Sequence, residues 1–169
     1  SISADGQLVA FQSHASNLVA GDTTGPRDIF VHDRVTGITE RVCVDSSGTG
    51  HNGDSLFPSI SADGQLVAFA SEATNLVAGD TNGIWDIFVH DRATGATERV
   101  NVDSSGAEAN GDTYSYTNLA DGQFVLYRSD ASNLVAGDTN GVGGVFVHGR
   151  GTGISERGSV GSSGAGAGG

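Results

Sequence analysis

Asp80, Asn82 and Asp86 put three hard oxygen donors into one short loop, "GDTNGIWD", in which Gly83 permits a sharp turn. Ca2+ takes roughly six to eight such oxygens, and loops supply them from alternating side chains and backbone carbonyls. Asn75, just upstream, offers another amide. The segment recurs as "GDTTGPRD", with Asp22, Thr24 and Asp28, and as "GDTNGVGG", where Asp138 and Asn140 persist but Gly144 takes the third carboxylate position. The spacing therefore offers a Ca2+ site, best furnished in the second copy and worst in the third. The competing reading needs no metal. Asp and Asn form turns through their own side chain to backbone bonds, and no bidentate Glu follows the loop as it would in an EF-hand.

Other chemistry is sparse. His32, His90 and His148 occupy the same place in each copy, which points to packing, since a catalytic base needs one copy and a dedicated orienting partner. The lone Cys43 has no intrachain partner and no metal-ligand spacing, and reads as a strand residue. Selective binding belongs where the copies differ: Trp85 stands against Arg27, Tyr114 and Tyr116 against Leu56 and Pro58, and Tyr127-Arg128 against Phe11-Gln12. On an open surface these aromatics would suit sugar stacking or a peptide groove; the alternative is burial between elements. No nucleophile elbow, zinc-protease helix, phosphate-cradling glycine loop or carboxylate pair confined to one copy is present. No catalytic residue is assigned.

The elements that carry these residues come in three copies. "SISADGQLVAF" starts at Ser1 and Ser59, and "TNLADGQFVLY" at Thr117, a period of 58 with 42 of 58 positions identical between the first two. Units 1–58, 59–116 and 117–169 follow. Within each, "SIS" and "QLVAF" flank Asp-Gly, a hairpin signal. "DIFVHD" and the alternating "ITERVCV" supply two more strands, and a Gly/Ser/Asn/Asp connector closes the unit. Helical spacing is nowhere sustained. Four short antiparallel strands per repeat of this length predict an all-β fold of β-propeller blades, three per chain.

The stretch "PSISADGQLVAFAS…DIFVHDRATG", Pro58 to Gly95, resembles the TolB-type (WD40-like) β-propeller repeat family, and all three units match in order. The insert "EATNLVAGDTNG" departs from that pattern. The resemblance implies the propeller fold, six blades, and a bacterial extracytoplasmic setting, periplasmic or secreted. It does not imply one function, because members of the family differ in activity.

Twenty acids against eight arginines give a formal net charge of −12. That surface repels phosphate backbones and argues against nucleic acid. No apolar run approaches the roughly 20 residues of a membrane helix, so membrane insertion is not expected. The chain opens inside a repeat and reads as a processed chain or a piece of a longer one. Three blades leave two open faces, which a head-to-tail homodimer (3+3) or further blades of a longer chain would cover. The reading is a non-catalytic scaffold that binds a protein or glycan, with Ca2+ as the candidate cofactor. The alternative is a lyase or hydrolase whose site forms on the assembled propeller face.

Overall fold

The computed structural model describes residues 1–22, 25–114, 122–138 and 142–161. Their strands form three antiparallel sheets. Blade 1 holds β1 (Leu8–Ser13), β2 (Asp28–Asp33) and β3 (Thr39–Arg41), with an Ile2–Val9 bridge in place of a first strand. Blade 2 holds β4 (Ser55–Ile60), β5 (Leu66–Ser71), β6 (Asp86–Asp91) and β7 (Thr97–Arg99) in sequential order. Blade 3 repeats this with β8 (Thr113–Tyr114), β9 (Phe124–Ser129), β10 (Gly144–Gly149) and β11 (Ile154–Arg157). The strands expected at "QLVAF", "DIFVHD" and "ITERVCV" recur in each blade, the last cut to three or four residues. The expected first strand is only a bridge in blade 1, and its counterpart from Thr117 lies outside the described residues. The sheet of blade 2 begins at Ser55, four residues ahead of the repeat boundary at 59. Pro58 and a register shift between Leu56 and Ser59 lie inside that first strand, and Pro lacks the N–H a regular ladder requires.

Local chemistry fixes each turn. In "SADG", the Asp63 carboxylate accepts from Ser61 Oγ at 2.6 Å and from the Gln65 amide at 3.0 Å, so the hairpin is closed by its own side chains. In "DRATG", Asp91 accepts from the Ala93 and Thr94 amides. These exposed aspartates are held below the usual carboxylate range by the bonds they accept: Asp63 chiefly by Ser61, Asp5 by Ser3, Asp103 by Ser105.

The core lies between blades. Ala10, Ile29, Val31, Val42 and Cys43 of blade 1 pack on Val67, Phe69, Leu76 and Phe88 of blade 2. The opposite face of blade 2, with Ala68, Ile87, Val89 and Val100, packs on Val125, Tyr127, Leu134 and Phe146 of blade 3. Full burial of each Leu, Val or Phe contributes roughly 1.5–3 kcal/mol, so the face-to-face contacts dominate stability. They are sealed at one edge by a leucine laid over a glycine: Leu8 covers Gly64, and Leu66 covers Gly122.

This packing generates a comparison. Gly64 and Gly95 have nearly the same left-handed φ, +74° and +76°, but only Gly64 faces a neighbouring blade. Ala at either position incurs the backbone cost of positive φ, about 1 kcal/mol, and Gly64→Ala also overpacks Leu8, for about 1 kcal/mol more. Chemical denaturation is expected to rank Gly64→Ala as the more destabilising. Equal losses would contradict the leucine-over-glycine seal.

Candidate functional site

The loop carboxylates converge as the spacing implied, but around a guanidinium. Arg99, at the end of β7, brings Nη1 to 3.2 Å from Asp80, 3.2 Å from Asp86 and 2.8 Å from Glu108. Asn82 donates to both Asp86 oxygens, at 3.2 and 3.1 Å, and to the Ala109 carbonyl. Asn101 donates to Asp86 and to Thr113 Oγ1. Burial raises the pKa of Asp86 against the pull of Asn101 and Arg99; burial and the nearby Asp86 charge raise that of Asp80. The arginine comes from "TER", a phrase whose Arg recurs in every unit. Its role was hidden because it meets Asp86 across 13 residues and Asp80 across 19.

Blade 1 builds the same position differently. Arg41 Nη1 lies 3.3 Å from Asp22 and 3.4 Å from Asp28. His51 Nε2 approaches the same Asp28 oxygen at 2.8 Å, while Nδ1 faces the Gly53 carbonyl. Cys43 Sγ lies 3.4 Å from that oxygen and accepts from the Ile29 amide at 3.1 Å. Asp28, Cys43 and His51 are all buried, and their donor atoms lie within 4.8 Å of one another, so this set could also hold a metal ion. It is an acid, an imidazole and a thiol found together in one blade only. Burial pushes the Cys43 thiol far up rather than toward the thiolate, and a nucleophilic cysteine needs the thiolate and access. The cluster is therefore suited to structure. The sequence signal was a correlated change: Cys43 and His51 stand where blade 2 has Asn101 and Ala109.

In blade 3, Arg157 pairs with Asp138 at 2.7 Å and lies 6.0 Å from the Phe146 ring centre. A side chain at Gly144 would meet Arg157 Nε at 2.9 Å, so the arginine fills the space of the missing carboxylate. Thr24, Asn140 and Tyr116 lie outside the described residues.

Each recurrent histidine faces a hydroxyl of its own blade, and in blades 2 and 3 that hydroxyl reaches the blade before. His90 and His148 are buried, and Nδ1 of each lies 2.9 Å from a hydroxyl, that of Thr97 and Ser155. The Thr97 hydroxyl itself donates to Val44 O of the preceding blade at 2.6 Å, which leaves His90 Nδ1 as the donor in its pair. Burial lowers the pKa of both rings.

The blade-specific aromatics separate. Tyr127 is fully buried and stacks on Phe146, centroids 6.0 Å apart, so the expectation that it contacts a ligand gives way to packing. Its neighbour Arg128 points outward, 6.0 Å from the Tyr114 ring, because successive residues of a strand face opposite ways. Trp85, Tyr114, Leu56, Phe57, Ala70 and Thr113 line a cleft of about 140 Å³. Phe57 is the one non-glycine residue with positive φ (56°) among the described residues, and it is 56% exposed. Such strain persists where surrounding contacts enforce it; here Gln12 Oε1 holds the Phe57 amide at 2.9 Å. Phe57 was not singled out from sequence.

Stacked sheets of sequential antiparallel strands, each sheet reaching the next through one repeating interface, define a portion of a β-propeller. The fold is that of TolB: the chain matches the crystal structure of TolB from Acinetobacter baumannii with a TM-score of 0.57 and 21% identity over 97% of its length and 32% of that chain. A putative TolB from Agrobacterium tumefaciens gives 0.57 and 16%, covering 92% of this chain and 46% of that one. Tricorn protease gives 0.52 and 12%, covering 93% and 18%. The chain thus spans less than half of each. No protein-family model matches it, and no curated protein matches it.

Two outcomes test these assignments. His51→Ala removes a buried partner of Asp28 and is expected to cost about 2 kcal/mol; adding Cys43→Asn supplies the amide that Asn101 gives Asp86 and should recover most of it. A double variant no more stable than the single one would contradict the equivalence of the two blades. For the histidines, the folded rings resist protonation, so stability falls as pH drops from the ordinary 6.5 through their lowered folded values. Melting curves of His90→Gln should show a shallower loss in that window; an unchanged pH profile would show that His90 does not contribute to it.

Proposed function

We propose that the chain is a non-catalytic propeller scaffold that binds a protein partner by seating an apolar side chain in the cleft between Trp85 and Tyr114. The observation that carries this is the cleft itself: an almost wholly apolar hollow, bordered by the outward, strained Phe57 and flanked by Arg128. Its volume is below the roughly 300 Å³ where small-molecule pockets begin, and it matches an anchor site, where buried aromatics and arginine concentrate binding energy. Of the polar side chains in its lining, Thr113 is already bonded to Asn101 and Ser129, which leaves the rings of Trp85 and Tyr114 and favours an apolar side chain over a glycan. A shallow concavity of about 600 Å³ beside Asp45, Asn75 and Thr97 is lined by a carboxylate and hydroxyls with no histidine, lysine or cysteine among them, which favours a scaffold over a lyase or hydrolase. Likeness to TolB supports an extracytoplasmic setting.

The binding test is a peptide-display screen run beside a glycan array. Enriched peptides should carry a large apolar residue, and Trp85→Ala should weaken them about thirtyfold, as for an anchor worth about 2 kcal/mol. Sugar hits that depend on Trp85 would replace the partner by a glycan, and binding indifferent to Trp85 and Tyr114 would contradict the cleft.

For the loops, we infer that Arg99, not Ca2+, neutralises Asp80 and Asp86, because Nη1 lies where the carboxylates converge. EDTA should then leave the melting temperature unchanged, whereas Arg99→Gln, which strands the acids, should cost about 3 kcal/mol. A fall in melting temperature on chelation, restored by Ca2+, would reverse this inference.

A further inference from the structure

Every blade-to-blade joint uses the same set of contacts, and the two outer faces of the chain carry the two halves of one more joint. The trailing edge of a blade offers a glutamate to an arginine of the next: Glu40 to Arg92, then Glu98 to Arg150. It offers a carbonyl to a hydroxyl: Val44 O to Thr97, then Val102 O to Ser155. It offers a leucine to a glycine: Leu8 to Gly64, then Leu66 to Gly122. The next members in register are Glu156, Val160 O and Phe124 on blade 3, and Arg34, Thr39 and Gly6 on blade 1. Among the described residues, neither Glu156 nor Arg34 has an ion-pair partner. No residue of another blade lies within 4 Å of the Cβ position at Gly6.

Burial tells the same story. Val67 and Val125 are buried by the blade before them, as are Phe69 and Tyr127, and Leu76 and Leu134; their counterparts Val9, Phe11 and Leu18 on blade 1 are only partly covered. On the other side Ile29 and Val31, and Ile87 and Val89, are buried, whereas Val145 and Val147 are partly covered and Phe124 is 56% exposed. The two faces are complementary in shape class and in charge, and each continues an interface already formed twice.

We propose that this chain self-associates head to tail, the trailing face of blade 3 docking on the leading face of blade 1 of a second copy. Glu156 then pairs with Arg34 of the second copy, the Thr39 hydroxyl donates to Val160 O, and Phe124 covers Gly6. The same contact made in both directions gives a closed ring of six blades with two-fold symmetry and no remaining open face. The surface is separate from the Trp85 cleft, so its failure leaves the ligand reading standing.

Sedimentation velocity of the 169-residue chain across a concentration series tests this. The expected result is a discrete species of about 34 kDa, twice the 17.0 kDa chain, with nothing larger. Glu156→Arg should weaken association by at least about tenfold, because like charges then face each other at both joints. Adding Arg34→Glu should restore it, and far-ultraviolet circular dichroism should stay unchanged, since both residues are exposed. Phe124→Asp should abolish the dimer. A chain that stays monomeric, an open series of larger species, or an association indifferent to Glu156→Arg and Phe124→Asp would each overturn the proposal.

Discussion

The structure rests on burial of sheet against sheet between consecutive blades. A three- or four-stranded sheet of strands two to six residues long has little interior of its own, so most of its large side chains find their cover in the neighbour. Blade 2, covered on both faces, contributes Val67, Phe69 and Phe88 to one interface and Ile87, Val89 and Val100 to the other. Because the interface is the same each time, the residues that make it recur at a fixed period, and the polar contacts at its rim recur with them. The His–Thr–carbonyl chain through His90, Thr97 and Val44 is one such contact. It satisfies buried polar atoms and ties two blades at a point where an unpaired hydroxyl would be costly.

A second constraint lies where the third strand of each blade begins. In blades 1 and 2 a buried carboxylate opens that strand, and in every copy the arginine of the fourth strand turns back to the loop that leads into it. The rest of its shell is free to vary: an amide in blade 2, an imidazole and a thiol in blade 1, and in blade 3 no carboxylate, the arginine lying against Phe146. One geometry is thus filled by three chemistries. Blade-specific polar residues at this position reflect alternative ways of satisfying one buried group.

Much of this was legible in the sequence because it was periodic. The 58-residue register marked the three modules, and the Asp-Gly hairpin before "QLVAF", the β-branched and aromatic run "DIFVHD" and the alternating "ITERVCV" marked their strands. The TolB-type resemblance held at the level of fold. What stayed hidden depended on contacts distant in sequence. Nothing local says that the Arg of "TER" turns back to an aspartate 13 or 19 residues earlier, so the loop acids read as open ligands. Tyr127 and Arg128 looked alike as departures from the repeat, yet strand alternation buries one and exposes the other. Phe57 escaped notice because its position follows from a register shift beside Pro58, which a period-two reading of the strand does not contain.

If neighbours supply each blade's core, blades cannot fold singly. Differential scanning calorimetry of the chain is the most direct test. One transition with matching calorimetric and van't Hoff enthalpies is the expected result, since losing any blade uncovers the next. Resolved transitions for separate blades would show that each sheet is stable by itself and would contradict the account.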